Sequence, residues 1–162
     1  MFLHLPVNHP LRPLYRFLGG LAGLHVLVFG IVGLVASWGH GIFGRGQIEA
    51  LGLRTNVAFS VLSILMGLAV VIAAIIDNNR DHYMFLFGGM AFFLIGMFML
   101  AFLQTGLNLF NFTVTTCAVS FVLGLVLFTA GLYTRHGTAY RQRAEELHRH
   151  AGRSGRVGAA TG

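Results

Sequence analysis

Lysine is absent from this chain, and charge of either sign is scarce: eleven arginines and five acidic residues make up 10% of its 162 residues. None of those charges falls within four long stretches, Phe17 to Ser37, Thr55 to Ile76, Tyr83 to Leu103 and Phe112 to Thr134. The buried carboxylates and cations that serve as proton relays and ion partners in pumps are therefore missing from them. A single cysteine, Cys117, excludes an intrachain disulfide. The three prolines, Pro6, Pro10 and Pro13, all precede the first stretch. No stretch is interrupted by proline, one of the marks of the broken helices that build transporter sites. There is also no nucleophile paired with a base, no carboxylate pair and no phosphate-binding loop, so nothing points to an enzyme or names a cofactor.

What remains is apolar: 56% of the residues are hydrophobic. A hydrocarbon core of about 30 Å takes about 20 residues of helix, and each uncharged stretch is at least that long. The expectation is an all-α integral membrane four-helix bundle occupying residues 1–135. Residues 136–162 form a basic tail, with a short helix over 138–150 supported by the Arg141–Glu145 spacing and a disordered end. A cleaved signal peptide is the competing reading of the first span, but the run is long and Val35-Ala36-Ser37-Trp38 is a poor cleavage site. All the basic residues are arginine, as in a GC-rich bacterial genome. They flank the spans, so the net charge of +6 reads as topology and contact with anionic headgroups through the tail, not as nucleic-acid binding. Nine arginines at the two termini and the middle loop, against Arg45 and Arg54 in the first loop and none in the third, place both termini inside the cytoplasmic membrane. Tyr15, Tyr83 and Tyr133 then fall at the inner interface and Trp38 at the outer one.

Helices associate in lipid through close packing of small residues. One face of the first span carries Gly19, Gly23, Gly30 and Gly33; the second carries Ser60, Ser63, Gly67 and Ala74; the fourth carries Cys117, Ser120, Gly124 and Gly131. These stripes predict the seams of the bundle, with the serines bonded across helices or back to their own. A faint internal repeat accompanies them. Gly19-Gly20-Leu21-Ala22 resembles Gly88-Gly89-Met90-Ala91, and Val61 to Leu68 resembles Ala118 to Leu125. Two hairpins related by duplication account for both; a chance likeness of Gly- and Leu-rich spans accounts for them equally.

His25 is the one ionisable side chain near the middle of a span. At 100° per residue it points about 120° from the glycine face, toward another neighbour or a partner subunit. A neutral imidazole bonded to a serine, threonine or carbonyl is the plain expectation. Haem ligation would need a second ligand at that depth: His40 and His82 lie at span ends, which leaves Met66. Asp77, Asp81 and His82 cluster in the middle loop, where Asn79 or Asp81 is expected to cap the third helix. His136, His148 and His150 lack the spacing of a metal site.

Local phrases carry one resemblance. His9-Pro10-Leu11-Arg12-Pro13-Leu14-Tyr15-Arg16, Gly52-Leu53-Arg54-Thr55-Asn56, Gln104-Thr105-Gly106-Leu107-Asn108 and Ala130-Gly131-Leu132-Tyr133 together resemble a family of small actinobacterial four-span membrane proteins of unknown function. The likeness covers about residues 9–135. It implies an inner-membrane four-helix protein and assigns no activity, cofactor or catalytic residue. The expected function is structural or accessory, as a small homo-oligomer or a subunit of a larger membrane complex. The alternative is a small channel or transporter for an uncharged or lipophilic solute.

Overall fold

The computed structural model describes residues 8–76 and 79–137. Four helices, α1 (Arg12–Ala36), α2 (Val57–Ile75), α3 (Arg80–Ala101) and α4 (Val114–Tyr133), make up most of it, and each is long and apolar enough to cross a membrane. The protein is thus all-α with the architecture of a multi-pass membrane bundle. The expected tail helix and its Arg141–Glu145 pair lie outside the described residues. At 25 residues and about 37 Å, α1 is the longest helix and begins five residues before the uncharged run. Pro13 sits in its first turn, where a missing N–H costs nothing. The other helices start at sites read from their caps. Asn56 Oδ1 accepts from Phe59 N at 2.9 Å, and Thr113 Oγ1 accepts from Thr116 N at 3.2 Å. The start of α3 departs from expectation. Asn79 is in the left-handed region with φ 61° and makes no side-chain cap. Its amide instead bonds the segment after α4, at His136 O and His136 N.

Helix α1 packs chiefly on α2 and α3 on α4, while α1–α4 and α2–α3 contacts close the ring. The glycines set how closely the helices approach. A Cβ on Gly67 would stand 2.4 Å from Leu27 N, and one on Gly89 would stand 2.5 Å from Phe128 N. Gly30 abuts Ile64 N, and Gly131 abuts Leu86 N, each at 2.6 Å. Neighbouring backbone fills these positions, so no side chain fits. Gly23 and Gly124 sit at the same crossings, facing Val70 and the carbonyl of Gly89.

Burial exposes the repeat and corrects its register. In α2, Ser60, Ser63, Gly67, Val70 and Ala73 are buried; in α4, Cys117, Ser120, Gly124, Leu127 and Ala130 are buried, each 57 positions later. Between α1 and α3 the matching offset is 66. Gly19, Ala22, Gly23, Gly30 and Gly33 correspond to Phe85, Gly88, Gly89, Gly96 and Met99, all buried. The Gly19-Gly20 and Gly88-Gly89 phrases are therefore three residues out of register, nearly one turn along the same face. At the centre the two hairpins meet by complementary size. The Phe85 ring lies over Gly19, where a Cβ would come within 2.4 Å of it, and joins Ala22, Val70, Leu127 and Ala130 in the core.

The loop joining α1 to α2 contains a short element not foreseen from its glycines. Strands β1 (Glu49–Ala50) and β2 (Leu53–Arg54) pair antiparallel, with Glu49 opposite Arg54. Leu51 at φ 50° and Gly52 at φ 78° form the two-residue turn. Both central residues at positive φ suit the twist of a tight hairpin. Leucine in that position hides the usual Asn-Gly signal.

Candidate functional site

Polar chemistry in this bundle is sorted by depth, and the two ends use different kinds. At the end that carries the termini, α1 supplies two arginines one turn apart. Arg12 donates from Nε to Thr134 O at the end of α4, at 2.8 Å, and its guanidinium lies 3.2 Å from the Asp81 carboxylate. Arg16 donates to Ala74 O and Ile75 O at the end of α2 and also lies 3.9 Å from Asp81. Cations suit these helix C-termini, and the acid suits the first turn of α3. Asp81 is fully buried, and its other oxygen accepts from His82 N at 2.9 Å. His82 Nδ1 meets Gly131 O at 2.6 Å. Of the cluster expected from Asp77, Asp81 and His82, Asp77 lies outside the described residues, and Asp81 and His82 belong to a four-helix tie rather than a helix cap.

The aromatic residues at this end also do more than mark an interface. Tyr15 and Tyr133 stack with centroids 4.6 Å apart, and His9 lies edge-on to Tyr133. Tyr83 is exposed, as an interfacial ring would be. The missed signal is the Arg12–Arg16 spacing: two cations at i and i+4 share a helix face and repel unless an acid stands between them.

The opposite end is held mainly by neutral amides, beside one arginine, Arg45 of the first loop, which donates to Gly106 O of the third. Asn56 Nδ2 reaches Leu109 O at 2.7 Å, crossing from the first loop to the third. Asn111 Nδ2 returns the link, to Gly46 O at 2.8 Å and Thr55 O at 3.1 Å. Asn108 spans its own loop, from Leu103 O to Phe112 O. All three asparagines are buried. Thr55 and Ser60 share a hydrogen bond at 2.9 Å beneath them. Trp38 and His40 stand exposed at the same end.

Between these ends the serines stay within the bundle. Ser120 Oγ bonds back to Thr116 O at 2.9 Å. Ser63 and Ser120 line a narrow cavity of about 50 Å³ between α2, α3 and α4, walled by Phe59, Leu62, Met66, Phe92 and Phe112. A wider apolar groove of about 580 Å³ runs over the loop end of α3, lined by Leu94, Phe98, Leu107 and Leu109. Among the described residues no buried side-chain nitrogen or oxygen lacks a hydrogen bond.

His25 breaks this pattern. It is exposed on the outward face of α1, midway along the helix. Among the described residues no hydrogen bond or ring contact reaches its imidazole. The expected bond to a serine, threonine or carbonyl is not made: α1 turns His25 out, while Ser60, Ser63 and Ser120 are buried within the ring. Met66 lines the cavity between α2 and α3, so the structure does not bring it to His25. Away from helix ends, His25 is the one exposed side chain with a nitrogen or oxygen among the described residues of the four helices. Its counterpart in the second hairpin, 66 positions on, is Ala91.

Comparison with known proteins adds no relative: no family model matches the chain, and no curated protein or solved structure is significantly similar to it.

Proposed function

We propose that the protein is a structural or accessory component of the bacterial cytoplasmic membrane, acting through association with itself or with other membrane subunits. One observation carries this reading: His25 presents an imidazole with no partner among the described residues, at mid-depth on a surface that lipid would otherwise cover. Ionisable residues within membrane spans nearly always face protein or a water-filled cavity. A protein surface against α1 would satisfy it. The rest of the bundle is closed by glycine crossings and internally bonded polar groups, which suits a scaffold. The arginine distribution supports a cytoplasmic side for both termini and for the Arg12–Asp81–Arg16 tie. The likeness of residues 9–135 to small actinobacterial four-span proteins is in keeping with this reading and adds no activity to it.

Purification in mild detergent followed by native mass spectrometry tests the proposal. The expected result is a mass above that of one 17.6 kDa chain, from further copies or from a stoichiometric partner. A strictly monomeric protein with no companion would overturn it.

A second reading, passage of an uncharged or lipophilic solute, has one observation in its favour. The groove over α3 is almost wholly apolar and open along its side, a shape suited to an acyl-like chain. Flux of such solutes into liposomes carrying the protein, above that of empty liposomes, is the expected outcome of this reading. Equal flux would end it.

A further inference from the structure

We infer that the protein forms a parallel homodimer through the outward stripe of α1, with His25 hydrogen-bonded to the partner's His25. The inference rests on the association reading above and names the partner as a second copy of this chain.

The stripe is defined by spacing and exposure together. Leu18, Leu21, His25, Val28, Val32 and Val35 follow one another at steps of three and four, the period of a helix–helix seam. All six are exposed, although α1 is packed on its other side against α2 and α4. Five are aliphatic, and the polar one stands near the centre. A single polar residue in such a seam fixes register and partner number in helical pairs.

The chemistry of imidazole selects a second copy. The neutral ring carries one N–H donor and one bare nitrogen acceptor, so two such rings are complementary to each other. Hydrocarbon offers neither partner. Every copy enters the membrane in one orientation, so a two-fold axis along the membrane normal sets two α1 helices parallel and each residue opposite its own copy. His25 then meets the partner's His25 with the aliphatic residues packing above and below. The second hairpin supplies an internal contrast. At the equivalent position of α3 stands Ala91, half-buried beside the cavity between α2, α3 and α4, and away from its ends α3 exposes no side chain with a nitrogen or oxygen.

Cysteine cross-linking in native membranes tests the geometry, in a Cys117→Ala background and again in the wild-type background, where Cys117 is buried. Leu21→Cys and Val28→Cys, flanking His25, are expected to give oxidised dimers. Leu65→Cys on α2 and Leu94→Cys on α3, both lipid-facing, are expected to give none. Interhelical hydrogen bonds in membranes are modest, so His25→Leu should lower the dimerisation constant by about 3- to 30-fold, and His25→Asn should retain most of it. Because no hydrogen bond or ring contact reaches His25 from another described residue, an unchanged Tm in monomeric detergent will show that His25→Leu still folds. Cross-linking that is absent from the α1 positions, or equal at all four, overturns the dimer, as does a His25→Leu variant that dimerises as well as wild type. Cross-linking of α1 to a different protein also overturns it while leaving the association reading in place. A chain that is monomeric and partnerless in membranes overturns both.

Discussion

The two helical hairpins bury the same pattern with different residues, and the places where they differ are where the protein's particular properties lie. α2 and α4 match position for position through their buried face, down to the caps Asn56 and Thr113. α1 and α3 match less closely. Gly19 against Phe85 is a pair in which one hairpin's space is filled by the other's bulk. Two copies of either hairpin would lack that fit, with a void between glycines or a clash between rings. Tyr15 against Asp81 separates an aromatic stack from a charge tie, and His25 against Ala91 separates an exposed imidazole from a half-buried methyl beside the cavity. Equivalent backbones thus carry the fold, and unlike residues on them join the hairpins to each other.

The strongest way to break this comparison is through Asp81, which has no acidic counterpart in the first hairpin. Asp81→Asn leaves Arg12 and Arg16 without their shared acid near the ends of α2 and α4. Removing one partner of a buried ion pair costs about 3–5 kcal/mol. The arginines are 16% and 23% exposed, so the lower figure is expected. Thermal unfolding in detergent should show a fall in Tm of several degrees, well beyond that of a Gln47→Ala control on the exposed first loop. A fall no larger than the control's would mean the tie contributes nothing to joining the hairpins.

Next in size are the crossings that the hairpins share. Gly67→Ala in the first and Gly89→Ala in the second each place a methyl against backbone, and overpacking of this kind costs about 1–3 kcal/mol. Similar losses from both, read by denaturation in mixed detergent micelles, would support their equivalence; a neutral result at one would restrict the close seam to the other. The caps follow. Asn56→Ala and Thr113→Ala each remove a bond to the third helical N–H, worth about 1 kcal/mol. Asn56→Ala should cost more, because its amide also holds Leu109 O in the third loop. Amide hydrogen exchange at the start of α2 and α4 would rank the two, and equal protection would count against the loop interlock. The smallest effect is expected from Gly88→Ala. Its nearest neighbours would be 4.0 Å away, ordinary contact distance, so the change in Tm should be within error. That result beside Gly89→Ala would separate two adjacent glycines that look alike in the sequence.

Much of this architecture was legible because lipid imposes a simple rule. An uncharged run of about 20 residues has few alternatives to a spanning helix, and the four runs fall within a few residues of the four helices. The glycine stripes were legible for the same reason: without a hydrophobic drive between helices, small residues mark the seams. Other features were hidden by their range. Asp81 with Arg12 is a contact between residues 69 apart, and Asn111 with Gly46 one between residues 65 apart. Neither leaves a local pattern. The register of α1 against α3 was misread because a shift of three residues preserves the helix face, so only burial against a neighbour could correct it. The β1–β2 turn was missed because Leu51 takes a conformation usually given to asparagine or glycine.

Composition and spacing by themselves determined that this is a four-helix membrane protein, which residues line its seams, and that His25 lies away from them. Those properties follow from local quantities: helix period, run length and side-chain size. Tertiary structure alone decided that the arginines at the start of α1 bind across the bundle to the ends of α2 and α4 and to Asp81. It also decided that asparagines lock the two loops together and that every serine and threonine near mid-depth is turned inward. The reason is geometric, since closing a ring of four helices fixes which of several equivalent faces points outward. That closure is what leaves His25 at the surface, with no hydrogen-bond partner among the described residues.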